Sequence, residues 1–302
     1  MSKDAIEIEG LSKRFGKTQA VQDLSFTVPE GTVVGFLGPN GAGKTTTLRA
    51  LLGLLKPDSG TTLIEGQHFT EVPNPAVTVG AVLEVGGAHA GRSGRNHLRA
   101  LAMAADIPRS RVEEVLELVD LTGAADRRTK GYSLGMKQRL GLAAALLGNP
   151  RVLILDEPAN GLDPAGIRWL RDLLRSLADQ GQTVLVSSHV LAEIANTADY
   201  AVVINKGRSV AQAPVSELIA GGDSGIRVAS PDIDRLADAV KAAGATVEPI
   251  GNGAVVVRGL SAEEIGRAAL DQKVVLTELT PTVASLEDVF LQLTGGEEGA
   301  PS

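Results

Sequence analysis

Residues 38–45 have the sequence Gly-Pro-Asn-Gly-Ala-Gly-Lys-Thr, which fits the pattern G-x-x-x-x-G-K-[ST]. Glycines in such a loop let backbone N–H groups turn inward around a phosphate, and a following helix adds positive potential. Lys44 can reach the β- and γ-phosphate oxygens, and the Thr45 hydroxyl can bind Mg²⁺. The pattern predicts a phosphate site, and a glycine-rich turn with an exposed lysine is the alternative. The residues predicted to bind the nucleotide are Gly38, Pro39, Asn40, Gly41, Ala42, Gly43, Lys44, Thr45 and Thr46.

Two adjacent carboxylates, Asp156 and Glu157, directly follow the apolar residues 152–155. A buried strand at 152–155 would place both carboxylates at its carboxyl end, where ligands bind in parallel α/β sheets. There Asp156 could hold Mg²⁺ through water while Glu157 polarises an attacking water molecule. A pair of solvated acids after a strand is the alternative, which the phosphate loop elsewhere in the chain disfavours.

The elements that must position these residues alternate between strands and helices. Apolar runs predict strands at 6–11, 24–28, 32–37, 152–155, 183–187 and 200–205. Helical spacing predicts helices from residue 44 and at 96–105, 109–119 and 164–180. Strands that alternate with helices imply an α/β fold with a mostly parallel sheet and a ligand site at the carboxyl ends of its strands. The segment from about 85 to 150 is interpreted as an inserted helical subdomain.

Two further motifs and a histidine accompany the carboxylates. Residues 132–140 are Tyr-Ser-Leu-Gly-Met-Lys-Gln-Arg-Leu and open an apolar helix, residues 159–164 are Ala-Asn-Gly-Leu-Asp-Pro, and His189 follows a predicted strand. With these motifs in this order, residues 6–218 resemble an ATP-binding-cassette (ABC) ATPase, which has a P-loop NTPase fold. The resemblance implies ATP hydrolysis, with ATP and Mg²⁺ as cofactors.

The resemblance also implies roles for residues outside the phosphate loop. Two cassettes would sandwich two ATP molecules, with the phosphate loop of one facing Ser133 and Gly135 of the other. Phe15 resembles the aromatic residue that stacks on adenine, and a core aromatic at a strand end is the alternative. His189 resembles the histidine that contacts the γ-phosphate, and a lone buried histidine is the alternative. Asp163 resembles the residue that links the two sites across the dimer, although it could simply start a helix.

The sequence departs from the family pattern at two places. Glu84 stands where a glutamine would sense Mg²⁺ and the attacking water, and the signature is Ser-Leu-Gly-Met instead of Ser-Gly-Gly-Gln. Both departures are similar to ATP-binding subunits of bacterial drug and antibiotic exporters, as is the closing segment at 285–291. The predicted catalytic residues are Glu157, His189, Lys44 and Glu84. The predicted metal ligands are Thr45, Asp156 and Glu84.

Residues 223–302 follow a linker-like segment at 221–225 and have a different order of elements. Strands at 226–229, 246–250, 254–257 and 274–279, with helices at 232–243 and from a capping box at 261–264, give the ferredoxin-like order β-α-β-β-α-β. A last helix is predicted from residue 285. We therefore expect an ABC ATP-binding domain at 1–222 and a C-terminal accessory domain at 223–302. A regulatory ligand-binding module, a dimer-stabilising domain and a structural cap are its possible roles, and dimerisation is favoured because no catalytic constellation occurs in it.

The composition of the 302-residue chain restricts the kinds of partner and chemistry that are expected. Residues 1–222 contain 23 acidic and 23 basic side chains, so the formal net charge of −7 lies in residues 223–302. The lack of a basic block argues against nucleic acid as a partner. The chain has no cysteine, which excludes disulfides and thiolate chemistry. No apolar run reaches the ~18 residues that span a bilayer, so a separate transmembrane permease is expected, with this chain peripheral on the cytoplasmic face of the cell membrane.

These observations favour one function over two alternatives. The favoured function is an ATPase subunit that dimerises, with itself or with a related subunit, around two ATP molecules. It would power export of a drug-like or antibiotic substrate through the permease. An importer ATPase would have the same catalytic residues. A soluble ABC ATPase acting on ribosomes or DNA is disfavoured because the chain has one cassette and no long coiled-coil insertion.

Overall fold

A computed structural model describes residues 4–83, 87–190, 194–220, 225–251 and 253–282. The chain divides into two compact units, Met1–Val215 and Ser216–Ser302, and each is described by itself. Several sequence-based predictions lie outside the described residues. They are Glu84, the domain boundary at 222 with most of its linker, and the closing segment with its helix from 285.

Among its described residues the first unit contains nine strands and six α-helices, and a seventh α-helix begins at its last residue, Val215. The strands are β1 (Asp4–Phe15), β2 (Thr18–Pro29), β3 (Val33–Leu37), β4 (Ser59–Ile64), β5 (Val79–Val82), β6 (Val152–Asp156), β7 (Thr183–Ser188), β8 (Tyr200–Asn205) and β9 (Arg208–Pro214). The helices are α1 (Lys44–Leu51), α2 (Pro75–Thr78), α3 (Gly94–Ala104), α4 (Ser110–Leu118), α5 (Leu134–Ala145), α6 (Pro164–Asp179) and α7 (Val215–Ala220).

These strands form two sheets that share a core. The larger sheet has the order β5-β6-β7-β3-β8-β9, with the first five strands parallel and β9 antiparallel to β8. The smaller sheet is antiparallel, in the order β2-β1-β4. The rings of Phe26 on β2 and Phe36 on β3 lie 5.0 Å apart and join the two sheets in one apolar cluster. The predicted α/β fold with a mostly parallel sheet is confirmed.

The two strands that precede the predicted chemistry, β3 and β6, are buried along their whole length. Continuous apolar strands of this kind occur where both faces of a parallel sheet are covered. Only β7 separates β3 from β6 in the sheet. Because the strands are parallel, the loop after β3 and Asp156 at the end of β6 lie at the same edge of the sheet.

The sequence-based prediction missed three strands, β4, β5 and β9. Strands β4 and β9 are rich in small and polar residues, so neither strand shows a clear apolar alternation. Strand β5 has only four residues, Val-Gly-Ala-Val, too few to show a period. Each of these strands pairs with a strand that the sequence does predict, namely β1, β6 or β8. Tertiary pairing therefore decides their conformation where the local pattern does not.

Helices α3, α4 and α5 lie between β5 and β6, and the first two confirm the helices predicted at 96–105 and 109–119. An arginine on α4 connects α4 to the end of α5. The Arg111 guanidinium donates to the carbonyl oxygens of Leu146 and Leu147 at 3.2 and 3.3 Å. Both carbonyls follow the last residue of α5, Ala145, and that of Leu146 also accepts the N–H of Asn149 at 3.1 Å, so Arg111 adds to the hydrogen bonds that close this helix.

The second unit folds around one antiparallel sheet. Its elements are β10 (Gly225–Ala229), α8 (Ile233–Ala242), β11 (Thr246–Gly251), β12 (Ala254–Arg258), α9 (Ala262–Asp271) and β13 (Glu278–Thr282). The sheet order is β11-β12-β10-β13, and all pairs are antiparallel. The predicted β-α-β-β-α-β order is confirmed, including the capping box between Ser261 and Glu264. The edge strands β11 and β13 each contain a proline, Pro249 and Pro281.

The last strand of this unit was predicted wrongly at its start. The sequence predicts a strand over 274–279, whereas β13 begins at Glu278. Lys273 has a left-handed φ of 56°, and the backbone N–H of Val274 donates to Ala269 at 2.8 Å. This is the bond pattern that closes a helix. Val274 is buried as the apolar residue after α9, so its hydrophobicity belongs to the helix end.

Candidate nucleotide-binding and catalytic site

The phosphate loop between β3 and α1 requires glycine at defined positions. Gly43 has a φ of 106°, and a Cβ atom there would lie 2.5 Å from the carbonyl oxygen of Ala20. A Cβ on Gly38 would lie 2.6 Å from the carbonyl oxygen of Ile204. Helix α1 begins immediately afterwards at Lys44, so its free N–H groups point toward the loop. The loop thus has the backbone form of an anion site.

Lys44 lies inside this loop with only 6% of its side chain exposed. Its Nζ donates to the carbonyl oxygens of Gly38 at 2.6 Å and Pro39 at 3.3 Å. It also lies 3.1 Å from Oε1 of Glu157. A buried ammonium group needs such partners. Its position places one positive charge between the phosphate loop and the end of β6.

Asp156 ends β6 and accepts two hydrogen bonds. The Thr45 hydroxyl donates to Oδ2 at 2.6 Å, and the Ser187 hydroxyl donates to Oδ1 at 2.5 Å. Oxygen atoms of this kind are the ligands that Mg²⁺ prefers. Within the described ranges, no group of three or more histidine, cysteine or acidic residues could hold a metal by itself. The residues fit an ion that takes its remaining ligands from phosphate and water, which is the usual environment of Mg²⁺.

Glu157 follows with a left-handed backbone, at a φ of 49°. Its N–H donates to the Ser187 hydroxyl at 3.0 Å, which fixes this turn. Its carboxylate lies between two basic groups, because Oε2 is 2.7 Å from Nδ1 of His189 while Oε1 faces Lys44. His189 is 39% exposed, so the alternative of a buried lone histidine is wrong. The turn thus brings one carboxylate, one ammonium and one imidazole into contact.

Ser133 and Asp163 lie at the beginnings of two neighbouring helices. The Ser133 hydroxyl accepts the N–H of Met136 at 3.2 Å and caps α5. The Asp163 carboxylate accepts the N–H of Gly166 at 2.7 Å and caps α6, so Asp163 does start a helix. Across the described residues, no hydrogen bond or ion pair joins Ser133 or Asp163 to the phosphate loop.

Two other predicted residues, Phe15 and Gly135, lie on elements outside the phosphate loop. Phe15 ends β1 with half of its surface exposed, so the alternative of a core aromatic is wrong. Its ring centroid lies 5.8 Å from Nζ of Lys13. Gly135, in the first turn of α5, packs near Leu162, since a Cβ atom there would lie 3.4 Å from that side chain. The remaining loop residues, Asn40, Gly41, Ala42 and Thr46, lie between β3 and α1 or in the first turn of α1.

Comparisons with known proteins agree with this geometry. Residues 21–160 match the family model described as ABC transporter, and residues 224–287 match one described as a domain of unknown function. The ABC transporter ATP-binding protein YdbJ of Bacillus subtilis (strain 168) is 38% identical over 304 residues, which cover 99% of each chain. This chain is an ABC transporter ATP-binding protein. As a member of that family it binds ATP and is an ATPase.

Two relatives of this ABC protein have names that state a cargo. The bacitracin transport ATP-binding protein BcrA of Bacillus licheniformis is 42% identical over 216 residues, covering 70% of this chain and 71% of that protein. The Nod factor export ATP-binding protein I of Burkholderia lata is 38% identical over 299 residues, covering 97% of both. A solved ATP-binding subunit of an ABC transporter has a TM-score of 0.65 at 28% identity, over 72% of this chain and 92% of that one.

Sequence reasoning missed Ser187 as a site residue of this ABC protein. Its hydroxyl donates to Asp156 and accepts from the backbone of Glu157, so it holds both carboxylate residues in place. Ser187 is paired with Asp156 in the parallel register of β6 and β7. In the sequence, Ser187 is recognisable only as a hydroxyl residue near the end of an apolar strand. Its partner Asp156 becomes evident once the register of β6 and β7 is known.

A Ser187→Ala variant is expected to lose roughly tenfold in ATP turnover while its ADP affinity stays near that of the wild type, because supporting hydrogen bonds orient the reacting groups. Steady-state hydrolysis and equilibrium ADP binding measure the two quantities. Thr183→Val is the matched control, since Thr183 is buried at the other end of β7 and its hydroxyl accepts the N–H of Gly31 at 2.9 Å. Equal losses of ATP turnover in Ser187→Ala and Thr183→Val would mean that Ser187 has no specific role in orienting the catalytic carboxylates.

Proposed function

We propose that this chain hydrolyses ATP to power export of an antibiotic or drug-like substrate through a membrane-spanning partner that is a separate polypeptide. As part of this proposal we assign the ABC ATP-binding domain to 1–222 and the accessory domain to 223–302. The relatives named for bacitracin transport and Nod factor export support this cargo class and direction. In the described ranges, no helix has the length and apolar character needed to cross a bilayer.

The observation that carries the hydrolytic part is the position of Glu157 between Lys44 and His189. Oε1 and Oε2 of Glu157 can accept a proton from a water molecule that attacks the γ-phosphate. His189 holds this carboxylate in place, and Lys44 can turn from it toward the phosphate oxygens. Mg²⁺, when bound near Thr45 and Asp156, would neutralise phosphate charge. Glu84 stays a predicted metal ligand outside the described residues.

The second copy would complete each ATP site. Ser133 and Gly135 lie at the free N-terminus of α5, whose positive potential suits the γ-phosphate bound by a partner copy. Asp163, at the start of α6, would face the same interface. Phe15 is exposed at the end of β1 and offers a ring face for adenine.

A groove beside β5 and α5 is proposed to receive a segment of the membrane partner. Its lining includes Leu101, Lys130 and Lys137, and its volume is about 460 Å³. Burial lowers the pKa of His97 in this groove, and the positive charge of Arg92 lowers it further by a smaller amount. The imidazole ring is therefore neutral near pH 7. Among the described lining residues the two lysines then carry the charge, which fits a segment with acidic side chains.

Transport in inside-out membrane vesicles tests the proposal. The chain is expressed together with the membrane protein that copurifies with it, and bacitracin is the probe. We expect ATP-dependent uptake of bacitracin into the vesicles, and no uptake with Glu157→Gln. Uptake that persists in vesicles containing the membrane protein but not this chain would contradict export by this chain. ATP-dependent movement of bacitracin out of the vesicles would also contradict it.

A further inference from the structure

One guanidinium group connects three helices of the first unit. Arg139 on α5 donates from Nη1 to the carbonyl oxygen of Val119, just after α4, at 2.9 Å. The same nitrogen lies 3.4 Å from the carboxylate of Asp120. The guanidinium carbon lies 4.0 Å from the ring centroid of Trp169 on α6. The Arg139 side chain is only 19% exposed, so this stacking is shielded from water.

Arg139 and Trp169 occupy equivalent places in their helices. Arg139 lies six residues after the cap Ser133, and Trp169 lies six residues after the cap Asp163. The stacking contact therefore joins the two helices that begin at these caps. A shift of α5 along α6 would separate the guanidinium from the ring.

The beginnings of α5 and α6 are also packed against each other. The Gln138 amide donates to the carbonyl oxygen of Asn160 at 3.2 Å, in the loop before α6. The space between the two helices near Trp169 is only about 10 Å³, at the lower limit of what a single water molecule needs. Close packing of this kind transmits a displacement of one helix to the other.

We infer that Arg139 and Trp169 are positioning residues that keep Ser133 and Asp163 in a fixed arrangement, so that both meet the nucleotide of a partner copy together. The inference rests on the proposed function, because it requires the dimer around ATP. Arginine suits the task, since its planar group donates in the plane to Val119 and stacks on the indole through its face. A lysine at 139 could do only one of these.

The contact can be followed directly because Trp169 is the single tryptophan of the chain. Arg139→Ala is expected to increase quenching of tryptophan fluorescence by acrylamide, since the ring loses its cover. Arg111→Ala is the matched control. It removes an arginine that also donates to carbonyl oxygens at a helix end, but connects α4 only to α5. Quenching that is unchanged in Arg139→Ala would overturn the assignment.

Kinetics of the full chain then separate positioning from simple stability. Trp169→Leu is expected to lower ATP turnover about tenfold to a hundredfold, because small misplacements of reacting groups are costly. ADP affinity should stay within about twofold of the wild type, since ADP needs only the phosphate loop of its own copy. Trp169→Tyr keeps an aromatic face and should restore most of the turnover. In the Glu157→Gln background, Trp169→Leu should also raise the ATP concentration needed for dimerisation.

Three further outcomes would overturn the inference. In the first, Trp169→Leu hydrolyses ATP like the wild type. In the second, turnover and ADP affinity fall together in Trp169→Leu and Trp169→Tyr alike, which indicates general destabilisation. In the third, the wild type hydrolyses ATP without ever dimerising, which would overturn the proposed dimer as well. The first two leave the proposed dimer intact, so the two failures can be distinguished.

Discussion

Glu157→Gln is expected to abolish ATP turnover, by about a thousandfold, and to leave ATP trapped in a stable dimer. Glutamine keeps the shape of the side chain but cannot accept a proton, and a general base contributes about 10² to 10⁴ in rate. Lys44 and Thr45 are unchanged in this variant, so ATP binding should persist. Phosphate release measures turnover, and size-exclusion chromatography with ATP and Mg²⁺ measures the trapped dimer.

Glu84→Gln provides the comparison for this result. It makes the same replacement of glutamate by glutamine, but at the position where the ABC pattern expects glutamine. We expect this variant to keep substantial ATPase activity. The variant removes one negative charge, which should do little harm to the binding of an anionic nucleotide. If both variants lose activity equally, the division of roles between Glu157 and Glu84 is wrong.

Lys44→Gln is expected to lower ATP affinity roughly tenfold to a hundredfold, because it removes a charged donor to the phosphates. Turnover should fall by about a hundredfold to a thousandfold, since the same charge stabilises the transition state. The change also leaves Glu157 without its ammonium partner, which costs stability. Equilibrium ATP binding, steady-state hydrolysis and thermal unfolding measure the three effects.

Arg175→Gln is the matched control for Lys44→Gln. Arg175 also bonds a carbonyl oxygen, that of Thr197 at 3.3 Å, and a carboxylate, that of Asp199 at 2.7 Å, but it lies on α6 and not in the phosphate loop. Its loss should lower the unfolding temperature without changing ATP affinity. A Lys44 variant that behaves like the Arg175 variant would contradict a phosphate-binding role.

The sequence was most informative where the chemistry depends on residues close together in the chain. The phosphate loop and the pair Asp156 and Glu157 are continuous segments, and each follows a strand that is apolar throughout. Short-range spacing is enough to predict such features, because the backbone conformation they need depends on local residue types. The caps at Ser133 and Asp163 are predictable for the same reason.

The parts that were missed depend on neighbours far along the chain. Ser187 acts through strand register, and Arg139 through a stacking contact with Trp169, neither of which leaves a local pattern. Strand β5 exists because β6 pairs with it, although its own four residues have little strand character. Val274 misled the prediction because a buried residue after a helix has the same hydrophobicity as one in a strand.

The prolines at both edges of the C-terminal sheet limit how copies of this unit can associate. Pro249 and Pro281 lack a backbone N–H, so neither β11 nor β13 offers a complete row of donors to a further strand. Edge-to-edge pairing of the sheets of two copies into one continuous sheet is therefore disfavoured. Open-ended polymerisation by repeated strand addition is disfavoured for the same reason. If this unit stabilises the dimer, the contact should be made by side chains on its helices or on a face of its sheet.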